Sequence, residues 1–160
     1  MLIATKSSRI NISEENKTKF IARVFAKNIK VGDVLFLIGE LGVGKTTFIK
    51  FLINFFQINK NHSVTEIPSP TFNLINEYQI DSLILKHYDL YRIKNEKELN
   101  SIGIFEDNSE QITLIEWPEI IKNHKMKNII YLHFDYDEDY KKRFLTISSN
   151  NKINFLDEFK

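Results

Sequence analysis

The chain has 160 residues, no cysteine, and 22 Lys and Arg against 21 Asp and Glu, a net charge of +1. Disulfide frameworks, thiol catalysis and cysteine-based metal sites are thereby excluded, and no overall basic excess is left for tight nucleic-acid binding by the chain alone. One domain is the simplest organisation at this length. With no apolar run near the ~20 residues that cross a bilayer and no apolar leader, a cytoplasmic protein is expected.

In chain order, Met1 to Ile3 reads as the start of a short strand. Ser13-Glu14-Glu15 then reads as a helix N-cap with acids in the first turn, and Phe20, Ile21, Val24, Phe25 and Ile29 form its buried stripe. Everything before residue 32 reads as packing, with Ser13 the one position that could lie near a ligand. Gly32-Asp33 turns the chain into Val34-Leu35-Phe36-Leu37-Ile38, an uninterrupted apolar run of the kind a buried parallel strand shows.

That run leads directly into Gly39-Glu40-Leu41-Gly42-Val43-Gly44-Lys45-Thr46, a gapless match to G-x-x-x-x-G-K-[ST], with Thr47 following. The chain holds five glycines, and Gly39, Gly42 and Gly44 all fall in this stretch. Glycine tolerates positive φ and lets backbone N–H groups close around a phosphate. After the loop, Phe48, Ile49, Phe51, Leu52, Phe55 and Phe56 recur at helical spacing, so the order is strand, glycine loop, helix. Lys45 is expected to reach the β- and γ-phosphates and the Thr46 hydroxyl to ligate Mg²⁺.

Gln57 to Glu66 is polar and aperiodic, and is expected to be a surface connection with His62 in solvent. In Ile67-Pro68-Ser69-Pro70-Thr71-Phe72 the two prolines fix an extended loop that presents Ser69 and Thr71. Two roles stay open for it: a switch whose hydroxyl approaches Mg²⁺ or the γ-phosphate, and a rigid connector whose hydroxyls cap backbone. Asn73 to Tyr78 and Leu83 to Tyr88 read as two strands of an antiparallel hairpin about Asp81-Ser82. The second delivers Asp89 at a strand end, where it could bind metal, position water, form a structural pair with Arg92, or cap a helix. His87, in the alternating strand, reads as packed or hydrogen-bonded.

Glu96 to Ile102 forms a short helix that stops at Gly103. Ile112-Thr113-Leu114-Ile115 is a second buried strand, ending in Glu116-Trp117-Pro118-Glu119. An apolar strand that ends in an acid beside a phosphate loop has the character of a Walker B element, so Glu116 is the preferred metal residue. Trp117, the only tryptophan, reads as packing under the site in preference to stacking on ligand, and Glu119 as a surface acid. Ile129 to Phe134 and Phe144 to Ser148 are two more strands joined by a charged turn, and Ile153, Phe155, Leu156 and Phe159 mark a docking terminal segment.

Together Gly39 to Thr47 (GELGVGKTT), Ser69 to Phe72 (SPTF), His87 to Arg92 (HYDLYR) and Glu116 to Glu119 (EWPE) resemble one family over nearly the whole chain: TsaE (YjeE), small bacterial P-loop ATPases of tRNA threonylcarbamoyladenosine (t6A) synthesis. Glu40 and Val43 stand where that family often has Asp and Ala, and Lys50-Phe51 where Arg-Gly is common. The resemblance implies a single α/β P-loop NTPase-like domain, a mixed sheet with a parallel core and antiparallel hairpins, flanked by helices. It also implies ATP, ADP and Mg²⁺ as ligands, slow hydrolysis, and TsaD and TsaB as partners. Residues 39–47 would bind nucleotide, Thr46 and Glu116 the metal. Lys45, Asp89, Glu116 and Thr71 would carry catalysis, with Thr71 the nucleotide-sensing switch. A small-molecule kinase and a nucleotide-gated binding module are the competing readings.

Overall fold

A computed structural model describes residues 3–159. Its elements in order are β1 (Thr5–Lys6), β2 (Ile10–Asn11), α1 (Glu15–Asn28), β3 (Val34–Ile38), α2 (Lys45–Asn59), β4 (Ile75–Ile80), β5 (Leu83–Asp89), α3 (Glu96–Ser101), β6 (Gln111–Glu116), β7 (Ile129–Tyr136) and β8 (Arg143–Ser149), with 3-10 turns at Pro118–Ile121 and Phe155–Phe159. The strands form one eight-stranded sheet in the order β1-β8-β7-β3-β6-β5-β4, with β2 also on β8. Strands β7, β3, β6 and β5 are mutually parallel, while β4 and β8 add antiparallel hairpin partners at either side. The architecture is the expected α/β one, a mixed sheet with a parallel core.

The apolar run of β3 has its physical reason in this order: the strand is central and covered on both faces. Leu35 and Leu37 point to one side, where Leu85, Leu114 and Leu132 meet Phe25, Phe48, Ile49 and Leu52 of α1 and α2. Val34 and Phe36 point to the other, where Tyr88 and Ile115 meet Leu90, Leu99, Ile104 and Ile121. The terminal 3-10 turn docks on α1 as expected. Phe25 sits at the junction, its ring 5.1 Å from Phe155 and 6.2 Å from Phe159.

Several local expectations shift. Met1 and Leu2 lie outside the described residues; the first described strand begins at Thr5, beyond Ile3, and is held by pairing to β8 rather than by its own pattern. Ser13 does not cap α1. Glu14 occupies that position without a side-chain cap, while the Ser13 hydroxyl donates to Asn11 Oδ1 and accepts from Arg143 N–H. Phe20 is exposed, and Ile29 is buried just past the helix end. Helix α2 runs on to Asn59. Gln57 is buried within it, and its amide exchanges hydrogen bonds of 2.7 and 3.1 Å with Thr65, so the polar connection is tied down at one point. His62 is half-exposed and pairs with Asp81 at 2.7 Å. Strand β4 starts two residues later than expected, because Leu74 adopts φ +66° and its carbonyl accepts the Asp89 N–H.

Candidate functional site

The loop between β3 and α2 is built on positive φ at Gly39 (+147°), Gly42 (+75°) and Gly44 (+118°). At Gly39 a Cβ would lie 2.4 Å from the Phe134 carbonyl oxygen of β7, so the close approach of two backbones requires glycine there. Val43 is buried and anchors the loop from below. No side chain caps α2, so the first-turn N–H groups of this 15-residue helix are open to an anion, and its dipole favours one.

Lys45 opens α2 and is only 4% exposed. Its ammonium donates to the carbonyls of Gly39 (2.6 Å) and Glu40 (2.8 Å) and lies 4.0 Å from the Trp117 ring centre. Burial lowers its pKa from the usual lysine value, and the negative fields of Glu116, Glu119 and Asp89 oppose that effect. The ammonium is thus held beside the loop by the carbonyls of Gly39 and Glu40.

Sheet register brings the other motifs to the same edge. Asp89 pairs with Glu116, and Glu116 with Leu37, at the carboxyl ends of adjacent parallel strands, the place where open α/β sheets bind ligands. Glu116 is buried. It accepts from Thr46 Oγ1 at 2.9 and 3.0 Å, and its Oε1 lies 2.9 Å from His87 Nε2. Asp89 is also buried and accepts three donors: Ser69 Oγ (3.1 Å), Thr71 Oγ1 (3.0 Å) and Tyr91 N–H (3.0 Å). The proline-stiffened loop is therefore tied to one strand end and the phosphate loop to the next.

Between them lies a cavity of about 250 Å³, lined among others by Gly42, Lys45, Thr46, Thr71, Asp89 and Glu116. A larger hollow of about 400 Å³ beside Asp33, Asn128 and Asn151 opens at the amino ends of β3 and β7, away from these groups. Chemistry, not size, marks the smaller one as the candidate site. Among the described residues no three His, Asp or Glu side chains converge as a metal cage. A hydroxyl and a carboxylate in contact, Thr46 and Glu116, are instead hard oxygen donors suited to Mg²⁺, which takes few protein ligands and completes its shell with phosphate and water.

Arg92 does not pair with Asp89. It is exposed, with its guanidinium 5.1 Å from the centre of the Phe72 ring. Trp117 adopts φ +57° and is half-buried, packing 4.8 Å from Tyr91 on one side and against Lys45 on the other. Glu119 is exposed, as expected. Leu41 (74% exposed), Phe72 (84%) and Tyr91 (56%) stand on the segments that frame the cavity. A small notch of about 70 Å³ beside Gly44 and Thr47 is completed by Ile12, Ser13, Thr18 and Arg143. Sequence reasoning missed Arg143 and the link of His87 to Glu116. No local signal encodes either, since strand pairing puts Arg143 at the notch and His87 beside Glu116.

A profile of the family described as threonylcarbamoyl adenosine biosynthesis protein TsaE matches residues 12–144. The chain is 38% identical over 148 residues to the tRNA threonylcarbamoyladenosine biosynthesis protein TsaE of Rickettsia typhi, spanning 92% of this chain and 97% of that one. It is 39% identical over 107 residues to the protein of that name from Bacillus subtilis, spanning 66% and 63%. In three dimensions it is similar to the crystal structure of Bacillus subtilis YdiB, with a TM-score of 0.71 and 25% identity over 99% of this chain and 95% of that one.

Proposed function

The chain belongs to the TsaE family, and from that membership and the geometry of its phosphate loop we propose that it is an ATP-binding, slowly ATP-hydrolysing component of tRNA t6A synthesis that acts with TsaD and TsaB in the cytoplasm. The observation that carries the proposal is the contact of Thr46 with Glu116 at 2.9 Å beside the buried ammonium of Lys45, at the carboxyl end of the parallel strands. Among the described residues no helix is long and apolar enough to cross a membrane.

In this reading residues 39–47 wrap the phosphates of ATP with backbone N–H groups, and Lys45 places its charge on the β- and γ-phosphates. Thr46 and Glu116 hold Mg²⁺, which when bound neutralises charge on the phosphates. Asp89 accepts hydrogen bonds from Ser69 and Thr71, and is placed to orient water or the outer shell of the metal. Thr71, released from or held to Asp89, reports the state of the site through the stiff loop. Arg92, the one guanidinium borne by the four motifs, rests on Phe72 at the surface and is not aimed at the phosphate loop. Slow turnover by the chain alone follows, and Leu41, Phe72 and Tyr91 form an apolar rim for the partner that completes the site.

The test uses Trp117, the only tryptophan, as reporter. ATP and ADP titrated with Mg²⁺ are expected to change its fluorescence, and Lys45→Ala to abolish the response and to lower hydrolysis by about 10²-fold or more. Addition of TsaD and TsaB is expected to raise turnover of the wild type. An unchanged response in Lys45→Ala, or full turnover by the chain with no gain from partners, would overturn the proposal.

A further inference from the structure

His87 is wholly buried, at 0% exposure, two residues before Asp89 in β5. Its Nε2 lies 2.9 Å from Glu116 Oε1. An ionised carboxylate only accepts, so Nε2 carries the proton and donates. The other ring nitrogen, Nδ1, is buried with no hydrogen-bond partner among the described residues. An imidazole whose Nδ1 is buried without a protein partner is a poor packing residue, since an apolar side chain of similar size would leave no polar atom unpaired. What the ring contributes there is a rigid donor aimed at Oε1.

Register explains how it gets there. In the parallel pair, His87 stands opposite Leu114 and Asp89 opposite Glu116, so His87 and Glu116 project from the same face on a diagonal. That face also carries Leu35 and Leu37, against which α2 packs. The Glu116 carboxylate is thus held from α2 by the Thr46 hydroxyl and from β5 by His87. A hydroxyl rotates about its bond, and its proton serves one acceptor at a time. The ring, in contrast, is enclosed completely.

We propose that His87 is a positioning residue: its Nε2–H locks Glu116 so that the remaining carboxylate lone pairs serve Mg²⁺ or its bound water, and the affinity of the nucleotide-loaded site for Mg²⁺ depends on it. This rests on the assignment of Glu116 as the metal-holding acid. Outer partners that orient a metal ligand typically govern ~10–100-fold in metal affinity, which sets the size of the effect.

The experiment titrates Mg²⁺ into protein saturated with ADP, followed by Trp117 fluorescence and by calorimetry, for wild type, His87→Leu, His87→Asn and His87→Gln, each also in a Glu116→Gln background. The amide nitrogen of Gln reaches the position of Nε2, whereas that of Asn stops near Nδ1 and falls short of Oε1. Half-saturation by Mg²⁺ is expected to rise about 10–100-fold in the Leu and Asn variants and to return close to wild type with Gln. Metal-free ADP affinity is expected to stay unchanged, and the loss to vanish when Glu116 is already Gln. Should the Leu variant fail to fold by circular dichroism, the contrast of Asn with Gln decides. Wild-type Mg²⁺ dependence in the Leu and Asn variants, or an equal loss in the Glu116→Gln background, overturns the positioning role alone. Absence of any Mg²⁺-dependent ADP binding in the wild type overturns the functional reading and this inference with it.

Discussion

Gly39 and Gly44 look alike in the motif and differ in what surrounds them. A Cβ at Gly39 would collide at 2.4 Å with a backbone carbonyl of β7, and β7 cannot retreat because β3 and β8 hold it from both sides. At Gly44 the φ is +118° but a Cβ meets nothing within 4 Å. Gly39→Ala is therefore expected to cost about 3 kcal/mol, strain and clash together, a fall in melting temperature of roughly 6–12 °C. Gly44→Ala carries the strain alone, of order 1–2 kcal/mol. Calorimetry of the two variants should order them so, and equal melting temperatures would contradict the clash. The glycine pattern was legible from residue types; that one glycine serves a strand contact and another only its own dihedral was not.

Among the elements, the hairpin of β7 and β8 shows how a turn that reads only as charged has a specific cap. Asp137 accepts the N–H groups of Lys141 (2.7 Å) and Lys142 (2.9 Å). The bond from Lys142, chiefly, with that from Lys141, holds its carboxyl below the usual aspartate value. The sign follows from linkage: a depressed pKa adds stability that is present above the unfolded value near ~3.9 and is lost as pH falls through the folded one. NMR is expected to show the Lys141 and Lys142 amides titrating together with a midpoint below ~3.9, and Asp137→Ala to remove that transition. The boundaries of β3, β5, α3 and β6 were close to those read from the apolar runs and breakers. The N-cap of α1 was misread, because Ser13 satisfies its hydroxyl with Asn11 and the β8 backbone instead of with the helix.

Over the whole molecule, the order β3-β6-β5 is what assembles the site. It sets the carboxyl ends of three strands side by side, so segments near residues 39, 89 and 116 meet although the chain separates them widely. The whole chain carries a net charge of only +1, 22 Lys and Arg against 21 Asp and Glu. Fluorescence anisotropy with labelled tRNA at physiological salt is expected to give no more than the ~10⁻⁴–10⁻⁶ M non-specific range. Submicromolar binding by the isolated chain would contradict the expectation that it does not bind nucleic acid tightly by itself.

The sequence by itself determined the strand, glycine loop and helix, the two acids at strand ends, and the family, because these are written in contiguous residues: an apolar run, glycines where φ must be positive, a lysine and a hydroxyl at fixed spacing. Only the tertiary structure decided that Thr46 touches Glu116 across 70 positions, that Arg92 turns to Phe72 instead of Asp89, and that His87 backs Glu116. The physical reason is that which strand lies beside which, and in what register, is settled by packing between distant segments, and local periodicity carries no record of the neighbour.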